Sequence, residues 1–187
     1  MRVFVAGATG AIGRPLVRLL LERGHEVSGL TRDPAKAPTL PNPVVCDVYD
    51  AERLQAAVRA FAPELVLHQL TDLPDELDRL EEALAGNARI RTEGHRNLLA
   101  AAAGAKLLAQ SVAFPVSGAA GEAVEELERT TLAVGGVVLR YGIFYGPGTY
   151  SEGSGRLPAP PRVHVETAAL RTVEALDAPS GIIEVVD

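Results

Sequence analysis

Residues 1–20 read MRVFVAGATGAIGRPLVRLL, and three glycines within them decide how the chain is read. Val3 to Ala6 is a short apolar run entering a glycine turn, the pattern of a buried strand. Ile12, Leu16, Leu19 and Leu20 then recur at helical spacing, with Gly24 where such a helix would stop. Gly7, Gly10 and Gly13 lie between the two as G-x-x-G-x-x-G. In a strand–turn–helix unit the first glycine permits the tight turn and the second lets a pyrophosphate approach the backbone. The third lets helix and strand meet closely. The helix start adds free N–H groups and a partial positive charge. The stretch therefore predicts a dinucleotide site. Its bland alternative is a tight turn without a ligand.

Strand and helix patterns alternate outward from this turn. His25 to Leu30 alternates as a strand, Val44 and Val45 form a short third one, and a helix is expected from about Ala51 to Phe61. Leu65 to Leu67 is a fourth strand. A long helical stretch from about Asp75 to Ala103 is expected to break near Gly86 or Gly94. Lys106 to Ala109 is a fifth strand, Glu122 to Ala133 a Glu-rich helix, and Val137 to Arg140 a sixth strand. Residues 146–161 are dense in Gly, Pro and Ser and read as a loop. Val163 to Val165, a helix from Glu166 to Leu176, and a strand from Ile182 to Val186 complete the order. This alternation predicts a doubly wound α/β fold: a parallel sheet with helices on both faces, joined by right-handed crossovers.

The second strand ends in Leu30-Thr31-Arg32. A site for NAD ordinarily places an acid here to bond the ribose 2′-hydroxyl. Thr31 and Arg32 stand there instead, with Lys36 close behind. A guanidinium suits a 2′-phosphate and can stack on adenine, so NADP is expected ahead of NAD. Arg32 can also be read as a solvated loop charge.

The bulk properties exclude several classes. At 187 residues the chain is expected to form one domain, 1–187. A net charge of −6 without a basic stripe speaks against nucleic acid. No apolar run approaches a bilayer span, and no charged-then-apolar leader precedes the first strand, so neither membrane nor signal peptide is expected. Cys46 is the sole cysteine, which makes a reducing cytoplasm the default. The four histidines and Cys46 have no metal-ligand spacing.

A set of motifs in order resembles the extended short-chain dehydrogenase/reductases, the group of NAD-dependent epimerases and dehydratases of nucleotide sugars. The set comprises Gly7-Ala-Thr-Gly-Ala-Ile-Gly13, Cys46-Asp-Val48, Leu65-Val-Leu-His-Gln-Leu-Thr71 and Asn97-Leu-Leu-Ala-Ala101. Ala109-Gln-Ser-Val112, Leu139-Arg-Tyr-Gly-Ile-Phe-Tyr-Gly-Pro-Gly148 and Val163-His-Val-Glu-Thr-Ala-Ala169 follow. The resemblance implies a Rossmann-type fold with Gly7, Thr9, Gly10, Ala11, Ile12 and Gly13 around the pyrophosphate. It implies that Asp47 and Val48 meet the adenine edge, and that Leu70 and Thr71 pass beneath the nicotinamide ribose. Gly146 and Pro147 would contact the carboxamide end. Ser111 would orient a substrate oxygen. Two plainer readings stay open: Asp47 as the N-cap of the Ala51 helix, and Ser111 as an ordinary strand-end hydroxyl.

The chain departs from that family in two respects. The family's acid/base machinery is a Tyr with a Lys four residues later, whose ammonium lowers the phenol's pKa. No tyrosine here has such a partner, and the two positions fall near Ala120 and Val124. Tyr145, or water, is the substitute proton carrier. His68 and His164 read as core histidines that could serve the same end, and His25 and His95 as surface residues at helix ends. The substrate-side part of the chain, 145–187, is also abridged beside the family pattern. Two functions remain. One is an NADP-linked oxidoreductase or epimerase-like enzyme moving hydride to or from a small carbonyl or sugar-like substrate. The other is a non-catalytic NADP(H)-binding module or redox sensor. A homodimer through the two long helices is possible, with Leu98, Leu99, Ala102, Leu127 and Leu132 as its stripe or as core.

Overall fold

The computed structural model describes residues 1–72, 80–102, 104–152 and 156–187. Its strands are β1 (Arg2–Ala6), β2 (Glu26–Thr31), β3 (Val44–Val45), β4 (Leu65–His68), β5 (Lys106–Val112), β6 (Val137–Tyr141), β7 (Ile143–Tyr145), β8 (Arg162–His164) and β9 (Gly181–Val185). The helices are α1 (Gly13–Glu22), α2 (Ala51–Phe61), α3 (Leu80–Arg89), α4 (His95–Ala101), α5 (Gly118–Ala133) and α6 (Val165–Glu174). Seven strands form a parallel sheet in the order β3-β2-β1-β4-β5-β6-β9. The predicted doubly wound Rossmann-type fold is the one observed. Among the described residues no helix is long and apolar enough to cross a membrane.

β1 shows why the sheet is central. Val3, Phe4, Val5 and Ala6 are all fully buried, as a parallel strand covered on both faces requires. The side chains alternate between two cores. Val3 and Val5 pack with Leu16 and Leu20 of α1 and Ala168, Ala169 and Val173 of α6. Phe4 and Ala6 pack with Leu54 and Val58 of α2 and Leu98 and Ala101 of α4. A one-residue slip would exchange these two sets, so the pattern fixes the register.

Several expectations change. α5 begins at Gly118 rather than Glu122. The long helix does break near Gly94, where a π-helical turn, Ile90–Gly94, joins α3 to α4. Gly94 lets that turn lie against Val48, whose Cγ1 would stand 3.3 Å from a β-carbon there. The expected ends of this helix, Asp75 and Ala103, lie outside the described residues. β7 is not anticipated from the sequence, where the sixth strand is expected over Val137 to Arg140 and Ile143–Tyr145 is left without an element. The strand is interrupted at Gly142, where a β-carbon would meet the Arg162 backbone at 2.7 Å. β7 thus leaves the main sheet and pairs with β8.

Asp47 does not cap α2. Asp50 does, accepting from the Arg53 N–H at 3.1 Å, while Asp47 accepts from the Tyr49 N–H at 2.9 Å. His95 is no surface residue: it is 2% exposed beneath α5. Leu98, Ala102 and Leu127 are buried within this chain.

Candidate dinucleotide site

The glycine turn leaves β1 where the strand order reverses, since β2 and β4 flank β1 and their chains run to opposite edges. Open α/β sheets bind ligands at this switch point, beyond the carboxyl ends of the strands. Two of its three glycines are needed by the protein itself. Gly7 has φ +91°, and a β-carbon on it would stand 2.4 Å from the Gln69 carbonyl oxygen. A β-carbon on Gly13 would stand 2.0 Å from the Gly7 carbonyl oxygen. Gly10 differs. It is exposed, and its hypothetical β-carbon meets only the Gly7 carbonyl oxygen, at 3.3 Å. No positive φ requires a glycine there, and the one close contact asks the Gly7 carbonyl to give by only a few tenths of an ångström, so the missing side chain leaves a bare backbone edge at the surface.

The start of α1 is equally bare. Ile12 precedes it with no side-chain cap, and its first turn holds no acid. The Gly10 N–H closes the turn on the Gly7 carbonyl at 3.1 Å, and the Arg14 side chain folds back to the Thr9 carbonyl at 2.9 Å. The N–H groups of Ala11, Ile12 and Gly13 precede the first intrahelical bonds and suit an anion. This cradle fits a dinucleotide pyrophosphate, with Gly7, Thr9, Gly10, Ala11, Ile12 and Gly13 as the residues that would hold it.

The neighbouring strand ends supply the remaining walls. After β2, Thr31 is buried and its hydroxyl bonds within the Asp33 turn, whereas Arg32 is 68% exposed and pairs with Asp72 at 3.0 Å. Lys36 is exposed in the 3-10 turn Pro34–Thr39. After β3, Val48 is buried and Asp47 exposed, and Asn97 of α4 donates to the Val48 carbonyl at 3.1 Å. After β4, the Leu70 peptide is held on both sides. Its N–H donates to His68 Nδ1 at 3.3 Å, and its carbonyl accepts from Gln110 Nε2 at 2.6 Å. The loop through Leu70 and Thr71 is therefore fixed by side chains of β4 and β5. Gly146 and Gly148 both have positive φ, and a β-carbon on Gly148 would lie 4.0 Å from Ala11 Cα. The Gly146-Pro147-Gly148 turn thus reaches the glycine loop from the far side.

The groups considered for catalysis have partners of their own. Ser111 is the last residue but one of β5, is 4% exposed, and donates to Glu128 Oε1 at 2.5 Å. Arg140 of β6 grips the same carboxylate with Nε at 2.9 Å and Nη2 at 2.6 Å. Burial raises the Glu128 pKa, but the hydrogen bonds from Arg140 and Ser111 outweigh it and hold the carboxyl below its ordinary value. Glu128 and Arg140 border a pocket of about 280 Å³ together with Phe114, Val124 and Glu184. Ala120 and Val124, near which the family resemblance would put its Tyr and Lys, lie one turn apart on α5.

Tyr145 is half-buried on β7 and donates to Asp187 Oδ2 at 2.8 Å. That bond raises the phenol's pKa, the opposite of the activation a lysine would give. His164 is half-exposed rather than core and caps α6, its Nδ1 accepting from the Glu166 N–H at 3.3 Å. His68 is wholly buried and stacks on His95 with ring centroids 5.3 Å apart. His25 is partly buried, with Nδ1 3.4 Å from the N-terminal amine.

Sequence reading misses Asp72, Gln110, Glu128 and Arg140. Only Gln110 carries a visible signal, as a polar residue beside Ser111 at the end of an apolar strand. The others depend on which helix lies over which strand.

Comparison with known proteins agrees with this geometry. The profile of the NAD dependent epimerase/dehydratase family matches residues 3–133. A 3-diazoavenalumate denitrifying reductase from a Streptomyces species is 41% identical over 231 aligned positions, covering 100% of this chain and 76% of the relative. Those positions outnumber the 187 residues here, so the relative carries segments inside the matched span that this chain lacks. Among solved structures, the UDP-glucose 4-epimerase of Thermus thermophilus in complex with NAD superposes with a TM-score of 0.78 at 24% identity. All of this chain and 78% of that one are covered. The Bordetella bronchiseptica enzyme WbmH in complex with NAD+ gives 0.77 at 20% identity, covering 100% and 75%. The glycine cradle at the switch point, the matched profile and the reductase relative together make this chain a member of the NAD-dependent epimerase/dehydratase family.

Proposed function

We propose that the chain is one domain, 1–187, and acts in the cytoplasm as a reductase that uses NADP(H) in preference to NAD(H). The observation carrying the preference is the end of β2, where an exposed Arg32 guanidinium stands at the position an NAD site gives to an acid. The nucleotide, when bound, supplies the hydride. The chain's own residues bind and orient: the glycine cradle takes the pyrophosphate, Arg32 the 2′-phosphate, Asp47 and Val48 the adenine edge. The fixed Leu70–Thr71 loop supports the nicotinamide ribose, and the Gly146-Pro147 turn closes on the carboxamide. Ser111 orients the substrate oxygen, and Tyr145 or water carries the proton. The substrate class is a small carbonyl or sugar-like compound, and the diazo compound in the relative's name widens the set to be screened.

A specific observation favours a second reading. Ser111 and Tyr145 both donate their hydroxyl hydrogens to carboxylates, and α5 lacks the Tyr and Lys. A non-catalytic NADP(H) module has the same cradle and needs no proton carrier. Calorimetric titration with NADPH, and separately with NADH, tests what the two readings share. Micromolar NADPH binding with much weaker NADH is the expected result. Binding of neither would end both readings, and a turnover screen on the NADPH complex separates them.

A further inference from the structure

Arg32 follows β2 and Asp72 follows β4, the two strands flanking β1. Their ion pair, 3.0 Å long, therefore spans the strand end from which the glycine turn departs. Asp72 is seated from behind as well. Its N–H donates to Asn87 Oδ1 at 3.4 Å, and its Oδ2 occupies the space that a side chain on Gly86 of α3 would need, 2.5 Å from where that β-carbon would stand. The carboxylate is 32% exposed and the guanidinium 68%. A pair this wet adds little to folding, so it opens readily.

A dinucleotide lying across the switch point meets this bridge at its adenosine end. A 2′-phosphate brings a charge of roughly −2 that seeks Arg32 and finds a carboxylate already there. A ribose 2′-hydroxyl makes no such demand, and an Asp can accept its hydrogen. We propose that Asp72 sets the dinucleotide choice, by competing with the 2′-phosphate for Arg32. This rests on the reading of Arg32 as the 2′-phosphate group's partner. Arg32 supplies the preference for NADP(H), and Asp72 limits it.

The test is a double-mutant cycle on Asp72→Asn and Arg32→Ala, reading Kd for NADPH and NADH by calorimetry at fixed ionic strength. Asp72→Asn keeps the shape and the hydrogen-bonding reach while removing the competing charge. It is expected to tighten NADPH about fivefold and leave NADH within about twofold. Arg32→Ala is expected to weaken NADPH about tenfold or more, and Asp72→Asn in that background to change it by less than about twofold. If Asp72→Asn tightens NADPH equally without Arg32, the carboxylate acts by general repulsion and the competition is refuted. If Arg32→Ala weakens NADPH but Asp72→Asn does nothing, the reading of Arg32 stands and this inference falls. If Arg32→Ala leaves NADPH unchanged, both fall. Thermal melts of each variant confirm that the folded protein is being titrated.

Discussion

Ser111 donates its hydroxyl hydrogen to Glu128 over 2.5 Å, while Arg140 grips the same carboxylate with two nitrogens. The serine is thus part of a buried polar cluster joining β5, β6 and α5. Ser111→Ala removes one of three donors to a buried carboxylate, and a loss of about 1–2 kcal/mol is expected at the urea midpoint. Under the hydride-transfer reading, turnover falls as well while NADPH affinity holds. Undiminished turnover by this variant would leave Ser111 a strut between strand and helix.

The glycine turn yields a sharper contrast. A β-carbon on Gly13 would lie 2.0 Å from the Gly7 carbonyl oxygen, against backbone that cannot swing aside. Gly13→Ala is expected to cost about 3 kcal/mol or more, or to prevent folding. The same change at Gly10 meets that oxygen only at 3.3 Å and points outward. Gly10→Ala is expected to melt within a few degrees of the parent and yet to bind NADPH about tenfold more weakly, since the methyl fills the pyrophosphate's approach. A Gly10→Ala protein with parental affinity would place the phosphates elsewhere.

What is legible in the sequence follows from range. β1, the glycine turn and α1 can be read because periodicity and the glycines act over neighbouring residues, and the same holds for α2 and β4. β7 is hidden because Ile143–Tyr145 is too short to show a period, and what makes it a strand is β8, roughly twenty residues on. His95 defeats a local reading for a related reason. It starts a helix and is polar, but its ring reaches α5, where Thr130 supplies the partner that makes its burial tolerable. Asp72 and Arg32 are forty residues apart, and only the strand order brings them together. Local chemistry is visible; partners chosen by topology are not.

The two stacked imidazoles give the last expectation, a dependence on pH. His95 Nε2 lies 3.1 Å from Thr130 Oγ1, whose own hydrogen goes to the Glu126 carbonyl at 2.7 Å, so the ring nitrogen is the donor. His68 Nδ1 accepts from Leu70, which leaves the hydrogen on its Nε2. His95 Nδ1 and His68 Nε2 then face no protein partner. Burial lowers the His95 pKa to about 4 and drives that of His68 well below its ordinary value. Both rings are therefore neutral in the folded protein at neutral pH. A histidine whose folded pKa is depressed gives its full stability above its unfolded pKa of about 6.5 and loses it as pH falls toward the folded value. Between pH 7.5 and 5 the His95 contribution alone amounts to about 2 kcal/mol, with His68 adding in the same direction. Urea unfolding at pH 7.5, 6.5, 5.5 and 5 should show this decline, and His95→Gln, which keeps a donor for Thr130 but cannot titrate, should show a shallower one. Parallel slopes for parent and variant would mean that the ring does not titrate on unfolding, and with it the tautomer assignment and the buried neutral pair would fail.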